Sequence, residues 1–272
     1  MIKISLNNDR ISQIISPWVR ATVVLALVLV PVFSWPVFAG EVTVAVAANF
    51  IKPLESLKPL YEKASGHTLV ISSGSTGRLY AQIKNGAPYD VFLSADDVHP
   101  RLLEQEGHGM PGTRFTYAVG KLVLWSPNIK MAGPDTPSIL KTAGFRKLAI
   151  TNPKLAPYGL AAQQTLESLQ LWDEIQGKMV LGENVGQTFS MVHTGNADLG
   201  FIALSQTLEI EGGIAGGRWV VPAEFHDPIL QQVILLTRAN NNPAAHALIR
   251  FLGGNAAREV IVEFGYGLEP VP

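Results

Sequence analysis

Two stretches about 110 residues apart carry the same local pattern, and that repeat restricts the possible folds more than any other feature of the chain. Asn85-Gly86-Ala87-Pro88-Tyr89-Asp90-Val91 and Thr194-Gly195-Asn196-Ala197-Asp198-Leu199-Gly200 each end a helical pattern on glycine. In both, an aspartate then leads directly into a buried apolar run. Around the first copy, Leu69–Ile71 reads as a strand and Gly74-Ser75-Thr76-Gly77 as a turn. Leu79 and Ile83 fall on one helical face, Gly86 takes the helix C-cap place, Pro88 stops the helix, and Val91–Leu93 is the next strand. Around the second, Lys147–Thr151 is a strand, Asn152 to Gly159 a turn, and Leu160–Leu169 a helix. Met179–Leu181 follows as a strand, then a helix with Phe189 and Val192 inward and the strand Leu199–Leu204.

The rest of the chain extends this scheme. Glu41–Ala47 reads as a strand buried on both faces, and Asn49 as the N-cap of a helix carrying Leu54, Leu57 and Tyr61 inward. Pro59 should kink or shorten that helix. Phe115–Trp125 is a long strand pattern broken at Gly120, as expected of a strand passing between lobes. Ile229–Thr237 is a further strand, and Pro243–Leu252 and Ala256–Phe264 are amphipathic helices. The economical architecture is α/β, with two lobes whose helix N-termini face a shared cleft. The expected division places residues 40–116 with 240–272 in lobe I and 117–239 in lobe II, hinged near Tyr117–Gly120 and after Leu204.

The chemistry lies at the strand-to-helix turns. The first N–H groups of a helix have no acceptor within it, and the helix dipole adds positive potential there. At Ser75-Thr76 two hydroxyls join them, beside glycines that allow close approach, which is the general recipe for an anion site. The alternative is that the same hydroxyls only cap the helix. Asn49 and Ser75-Thr76 belong to turns that share one edge of a parallel sheet. Tyr158 and the backbone at Val185-Gly186 supply corresponding turns in the second unit, with core packing as the competing role for both side chains.

Lys3, Arg10 and Arg20 precede the apolar run Ala21–Phe33, and Val37-Phe38-Ala39 offers a cleavage site, so residues 1–39 read as a secretory signal. Pro31 and Pro36 interrupt the run, where a spanning helix needs roughly 20 apolar residues. Removing three of 21 basic and one of 22 acidic residues leaves 18 against 21, a net charge of −3. No basic block survives, which argues against nucleic acid or an anionic membrane as partner. The chain has no cysteine, hence no disulfide framework and no lipid-acceptor thiol. A soluble periplasmic protein is expected.

No motif for a hydrolase elbow, zinc protease, nucleotide loop or dinucleotide fold occurs, and none of the six histidines pairs with another at metal-site spacing. Asp96, Asp97, Glu183 and Asp198 remain as carboxylates that could converge, although Asp90 and Asp198 fit better as organisers of turns before strands. The candidate site residues are neutral donors, which suit a fully ionised oxyanion. About five to seven charge-assisted hydrogen bonds of about 1.5–3 kcal/mol each would offset its desolvation without a lysine or arginine.

VAVAANF at Val44–Phe50, SSGSTGRLYAQI at Ser72–Ile83, NGAPYDVFLSAD at Asn85–Asp96, NPKLAPYGLAA at Asn152–Ala162, ENVGQ at Glu183–Gln187 and ADLGFIAL at Ala197–Leu204 occur in one order. Together they resemble the periplasmic molybdate-binding proteins of ABC transporters, in the branch with asparagine after the first strand. The resemblance implies a type II periplasmic-binding-protein fold with the ligand cleft between its lobes, and a receptor for molybdate or tungstate that serves a membrane permease. It implies no cofactor, no cation site, no catalysis and a monomer. Its ligand contacts fall on Asn49 with Ala48, Thr76 with Ser75, Tyr158, and the amide of Val185. Three positions depart from the pattern: Ala48 offers only its amide, Thr76 stands where serine is usual, and Ala203 stands where some relatives have tyrosine. The competing functions are a receptor for sulfate, phosphate or another oxyanion, and a periplasmic hydrolase of a small anionic substrate.

Overall fold

The computed structural model describes residues 39–128, 137–142, 144–208 and 216–269. The leader assigned to residues 1–39 lies outside them except for Ala39. Two five-stranded sheets organise the described chain. The first contains β1 (Glu41–Ala47), β2 (Thr68–Gly74), β3 (Val91–Leu93), β4 (Phe115–Gly120) and β10 (Ile229–Leu235), in the order β2-β1-β3-β10-β4. The second contains β5 (Leu122–Ser126), β6 (Leu148–Thr151), β7 (Met179–Gly182), β8 (Leu199–Ala203) and β9 (Gly217–Val220), in the order β7-β6-β8-β5-β9. In each sheet three parallel strands are followed by one antiparallel strand and then by one that runs with the first three, so the repeat read from the sequence is a repeat of topology.

The repeated aspartates have equivalent places. Asp90 accepts from the Thr43 N–H at 2.8 Å and from Arg238 at 2.7 Å. Asp198 accepts from the Lys147 N–H at 3.1 Å and the Arg146 N–H at 2.7 Å, with the Arg146 guanidinium at 3.0 Å. Each thus ties the start of a central parallel strand to its neighbour. Gly86 and Gly195, at φ +83° and +76°, make the left-handed turn that precedes it.

The helices are α1 (Ile51–Ser65), α2 (Thr76–Lys84), α3 (Val98–Gln105), α4 (Pro157–Ser168), α5 (Val185–His193), α6 (Pro243–Leu252) and α7 (Asn255–Glu263), with shorter turns between. Alternation along β1 explains how the first sheet is covered. Val42, Val44 and Val46 pack with Leu54, Leu57 and Tyr61 of α1 and with Leu248 and Ile261 of α6 and α7. Ala45, on the other face, joins Leu79 and Ile83 of α2, Leu103 of α3 and Ile234. A separate core under the second sheet gathers Leu124, Trp125, Ile150, Leu166, Val192 and Phe201.

Several boundaries differ from the sequence reading. Helix α1 runs through Pro59 without being shortened, because the ring lies on the exposed face where water can satisfy the freed carbonyl. Strand β2 extends past Ile71 to Gly74, and α4 begins at Pro157, so Tyr158 is inside the helix. Strand β10 pairs with β3 and β4, which puts Ile229–Leu235 and all of Phe115–Gly120 in the first sheet. The chain therefore crosses between sheets at Lys121 and again over 221–228, not at 116/117 or 239/240. A short apolar run shows that a strand is buried but not which sheet accepts it.

Candidate functional site

Strand register brings four helix starts together. Ala47 and Gly74 are partners at the ends of β1 and β2, and Thr151 and Gly182 at the ends of β6 and β7. The chain leaves these strands into the 3-10 turn Ala48–Phe50, α2, α4 and α5. The turn, α2 and α4 have no side-chain cap at their first residues. On α5 the Asn184 side chain accepts only from the Gln187 N–H at 3.0 Å, which leaves the N–H groups of Val185 and Gly186 ahead of it. A cluster of helix starts with spare donors is a concentration of positive potential.

All six residues expected at the site line one pocket. Its walls are segments 47–49, 74–76, 156–158 and 184–185 together with Ala95, and none of these residues carries a charge. Its cavity volume is only about 10 Å³, room for about one water-sized sphere and far below the ~300–1,000 Å³ of pockets that hold drug-sized ligands. Ser75 is 2% exposed, and its Oγ is the buried side-chain polar atom that finds no partner among the described residues. It occupies the N-cap place of α2 yet does not cap it, so simple capping does not explain this hydroxyl. The Thr76 Oγ1 accepts from the Ala95 N–H at 3.1 Å, which orients the hydroxyl and leaves its proton to donate.

Two of the expected side chains act differently from the sequence reading. Asn49 is not a helix N-cap: Ala47 precedes the 3-10 turn, and the Asn49 Nδ2 donates to Gln231 Oε1 at 2.8 Å and to the Tyr266 hydroxyl at 3.0 Å. With both amide protons engaged, Asn49 has its backbone N–H left for a ligand. The Tyr158 hydroxyl accepts from Gln231 Nε2 at 3.1 Å. Its backbone N–H is at the second position of α4, and those of Gly159 and Leu160 already turn back to the Ala156 carbonyl. Burial, followed by the nearby Tyr266 and Tyr117 phenols, pushes the Tyr158 hydroxyl well above its usual pKa. Burial does the same to Tyr117, so both phenols stay protonated and neutral. Ala203 is buried but does not line the pocket.

The walls touch across the cleft. The Gly77 N–H donates to the Leu155 carbonyl at 3.0 Å, and Arg78 pairs with Glu183 above the same edge. A Cβ on Gly186 would lie 3.7 Å from the Ala48 Cβ. Beside the pocket, sharing Ala95, Ala156 and Pro157 with it, is a larger groove lined by residues including Asp96, Asp97 and Asp227.

Of the carboxylates weighed for catalysis, Asp96 and Asp97 line this groove, whereas Glu183 and Asp198 do not. Asp96 accepts from Ser94, from the His99 N–H and from the His99 ring, whereas Glu183 is engaged by Arg78 and Asp198 by Arg146. Among the described residues no three His, Cys, Asp or Glu side chains are grouped so as to hold a metal ion. Sequence reasoning missed Gln231, Tyr117, Ser205 and Tyr266, which form a buried polar cluster behind the pocket. Its one sequence signal was a polar pair, Gln231-Gln232, inside an otherwise apolar strand.

Residues 42–267 match the model of the bacterial extracellular solute-binding protein family. The chain belongs to that family. The family is one of solute-binding proteins, not of enzymes. The chain is 49% identical over 232 residues to the molybdate-binding protein ModA of Azotobacter vinelandii, covering 85% of this chain and 91% of the relative. It is 41% identical over 244 residues to ModA of Rhodobacter capsulatus, covering 90% and 95%. The structure of the Azotobacter vinelandii periplasmic molybdate-binding protein superposes with a TM-score of 0.81 at 42% identity, covering 85% of this chain and all of that one. The fold is thus the type II periplasmic-binding-protein architecture expected from the sequence.

Proposed function

We propose that this protein is a periplasmic receptor that captures molybdate or tungstate and delivers it to the permease of an ABC transporter. The observation that carries this reading is the orphaned Ser75 hydroxyl, buried in an uncharged pocket among the backbone N–H groups of helix starts. A fully ionised tetrahedral oxyanion offers acceptors on every side and no proton. Its contacts are the hydroxyls of Ser75 and Thr76 and the N–H groups of Ala48, Asn49, Tyr158 and Val185. Likeness to two molybdate-binding relatives over most of their length supports molybdate as the cargo. An acidic side chain in the pocket would repel a dianion or accept a hydrogen bond from a protonated species, and none is there. The signal at residues 1–39 gives the export route, and the receptor works as a monomer.

The two halves turn about Lys121 and the 221–228 crossing, so that helix starts from both sheets close on the ion. Thermal unfolding with each oxyanion in turn tests the reading. Ligand at about 100 times its dissociation constant adds about 2.7 kcal/mol, which raises Tm by roughly 5–10 °C for a chain of this size. Molybdate and tungstate are expected to give that shift and sulfate to give none. A shift with sulfate or phosphate alone would keep the anion site and change the cargo; no shift with any oxyanion would overturn the receptor.

A further inference from the structure

Behind the pocket, Gln231 touches both of its walls and no ligand position. It is fully buried on β10. Its Oε1 accepts from Asn49 Nδ2 at 2.8 Å and from the Tyr117 hydroxyl at 3.1 Å, while its Nε2 donates to the Tyr158 hydroxyl at 3.1 Å. Asn49 follows β1 of the first sheet, whereas Tyr158 belongs to α4, which packs on the second. One planar amide of fixed length therefore spans from one wall to the other. Turning it over with Asn49 unchanged would set its NH2 against the donating Nδ2 of Asn49.

Two further features are built around this contact. Pairing between β10 and β4 slips by one residue at Gln231/Gln232, from Gln231–Ala118 to Gln232–Thr116, so Tyr117 is the extra residue. Such a bulge re-aims a side chain, and here the Tyr117 hydroxyl meets the amide. At Gly120, a Cβ would overlap the Tyr158 hydroxyl and approach Gln231 Nε2 to 2.8 Å. The absence of a side chain there makes room for the bridge.

We propose that Gln231 is a positioning residue whose amide spaces the Asn49 and Tyr158 walls and so sets which oxyanion radius the pocket accepts. This rests on the oxyanion-receptor reading above. Tetrahedral dianions present the same oxygens and differ mainly in size, so an uncharged pocket separates them through the spacing of its donors. Asn49 and Tyr158 contribute N–H groups from opposite walls, and their side chains are the ones Gln231 holds. Residues that only stabilised the fold would change Tm without changing the ratio of affinities for two ions of different radius.

The test measures molybdate and sulfate dissociation constants, the latter by competition, for wild type, Gln231→Leu and Tyr158→Phe, with Tm of each unliganded protein. Gln231→Leu is expected to weaken molybdate at least tenfold and to lower the preference over sulfate at least tenfold. Tyr158→Phe breaks a single bond of the bridge, keeps the backbone N–H, and is expected to fall between wild type and Gln231→Leu; it also answers the question if Gln231→Leu does not fold. An unchanged preference in the variants, with or without a lower Tm, overturns the inference. Failure of wild type to bind any oxyanion is a different result, which removes the receptor reading and this inference with it.

Discussion

At the scale of single residues, the informative feature is a hydrogen bond that is missing. Leaving a buried hydroxyl unsatisfied costs about 1–3 kcal/mol, whereas a bond from it to a charged ligand is worth about 1.5–3 kcal/mol. On the proposed reading, Ser75 is therefore unfavourable in the empty protein and favourable in the loaded one. Ser75→Ala is expected to raise the unliganded Tm by a few degrees and to weaken molybdate roughly 10- to 150-fold. Calorimetry on both forms checks this, and a Ser75→Ala protein that binds normally would remove Ser75 from the site. Asn49 shows the limit of reading residue types. The sequence reading makes its side chain a helix N-cap, but the fold spends both amide protons on Gln231 and Tyr266. No local pattern reveals partners 182 and 217 residues away.

At the scale of elements, the repeat is held by its aspartates and the cleft by contacts between helix starts. The side-chain bond from Arg146, with the N–H groups of Arg146 and Lys147, holds the Asp198 carboxyl below its usual 3.8. Its folded-state pKa is depressed, so its stabilisation is complete above the unfolded value and is lost as pH falls through the folded one. The stability difference between wild type and Asp198→Asn should accordingly be constant above about pH 5 and shrink below about pH 4. Urea titrations across that range read it. At the cleft edge, Arg78–Glu183 is exposed on both sides, and such a pair contributes about 0.2–1 kcal/mol. Arg78→Ala should speed molybdate release by no more than about fivefold at low salt, and the difference should vanish at about 1 M salt. Stopped-flow displacement gives both numbers. These elements were largely legible beforehand, because apolar periodicity, glycine stops and the Asp-strand junction are local signals. Their ends were less so: β2 and α4 run beyond their apolar cores into residues whose helix or strand state depends on neighbours.

For the whole molecule, closure is the property that joins fold to function. Ala48 and Gly186 face one another across the cleft, with a separation of 3.7 Å between Cβ positions, inside the range a disulfide needs. The chain has no cysteine of its own. The double variant Ala48→Cys with Gly186→Cys, loaded with molybdate and then oxidised, is expected to retain the ion through dialysis and to release it on reduction. Release at the wild-type rate from the oxidised protein would mean that the two positions do not bracket the way out. The two crossings between sheets, at Lys121 and 221–228, follow from β10 returning to the first sheet.

The amino-acid sequence by itself determined the strand–turn–helix units, their duplication, the uncharged donor-rich turns and the kind of ligand they suit. Each of these depends on residues close together in the chain, where backbone preference and side-chain spacing act directly. Only the tertiary structure decided that β10 belongs to the first sheet, that the Asn49 and Tyr158 side chains serve the pocket from behind, and that Gln231 joins them. Those outcomes depend on strand pairing and on hydrogen bonds between distant residues, and the same buried strand or polar side chain is locally compatible with several partners.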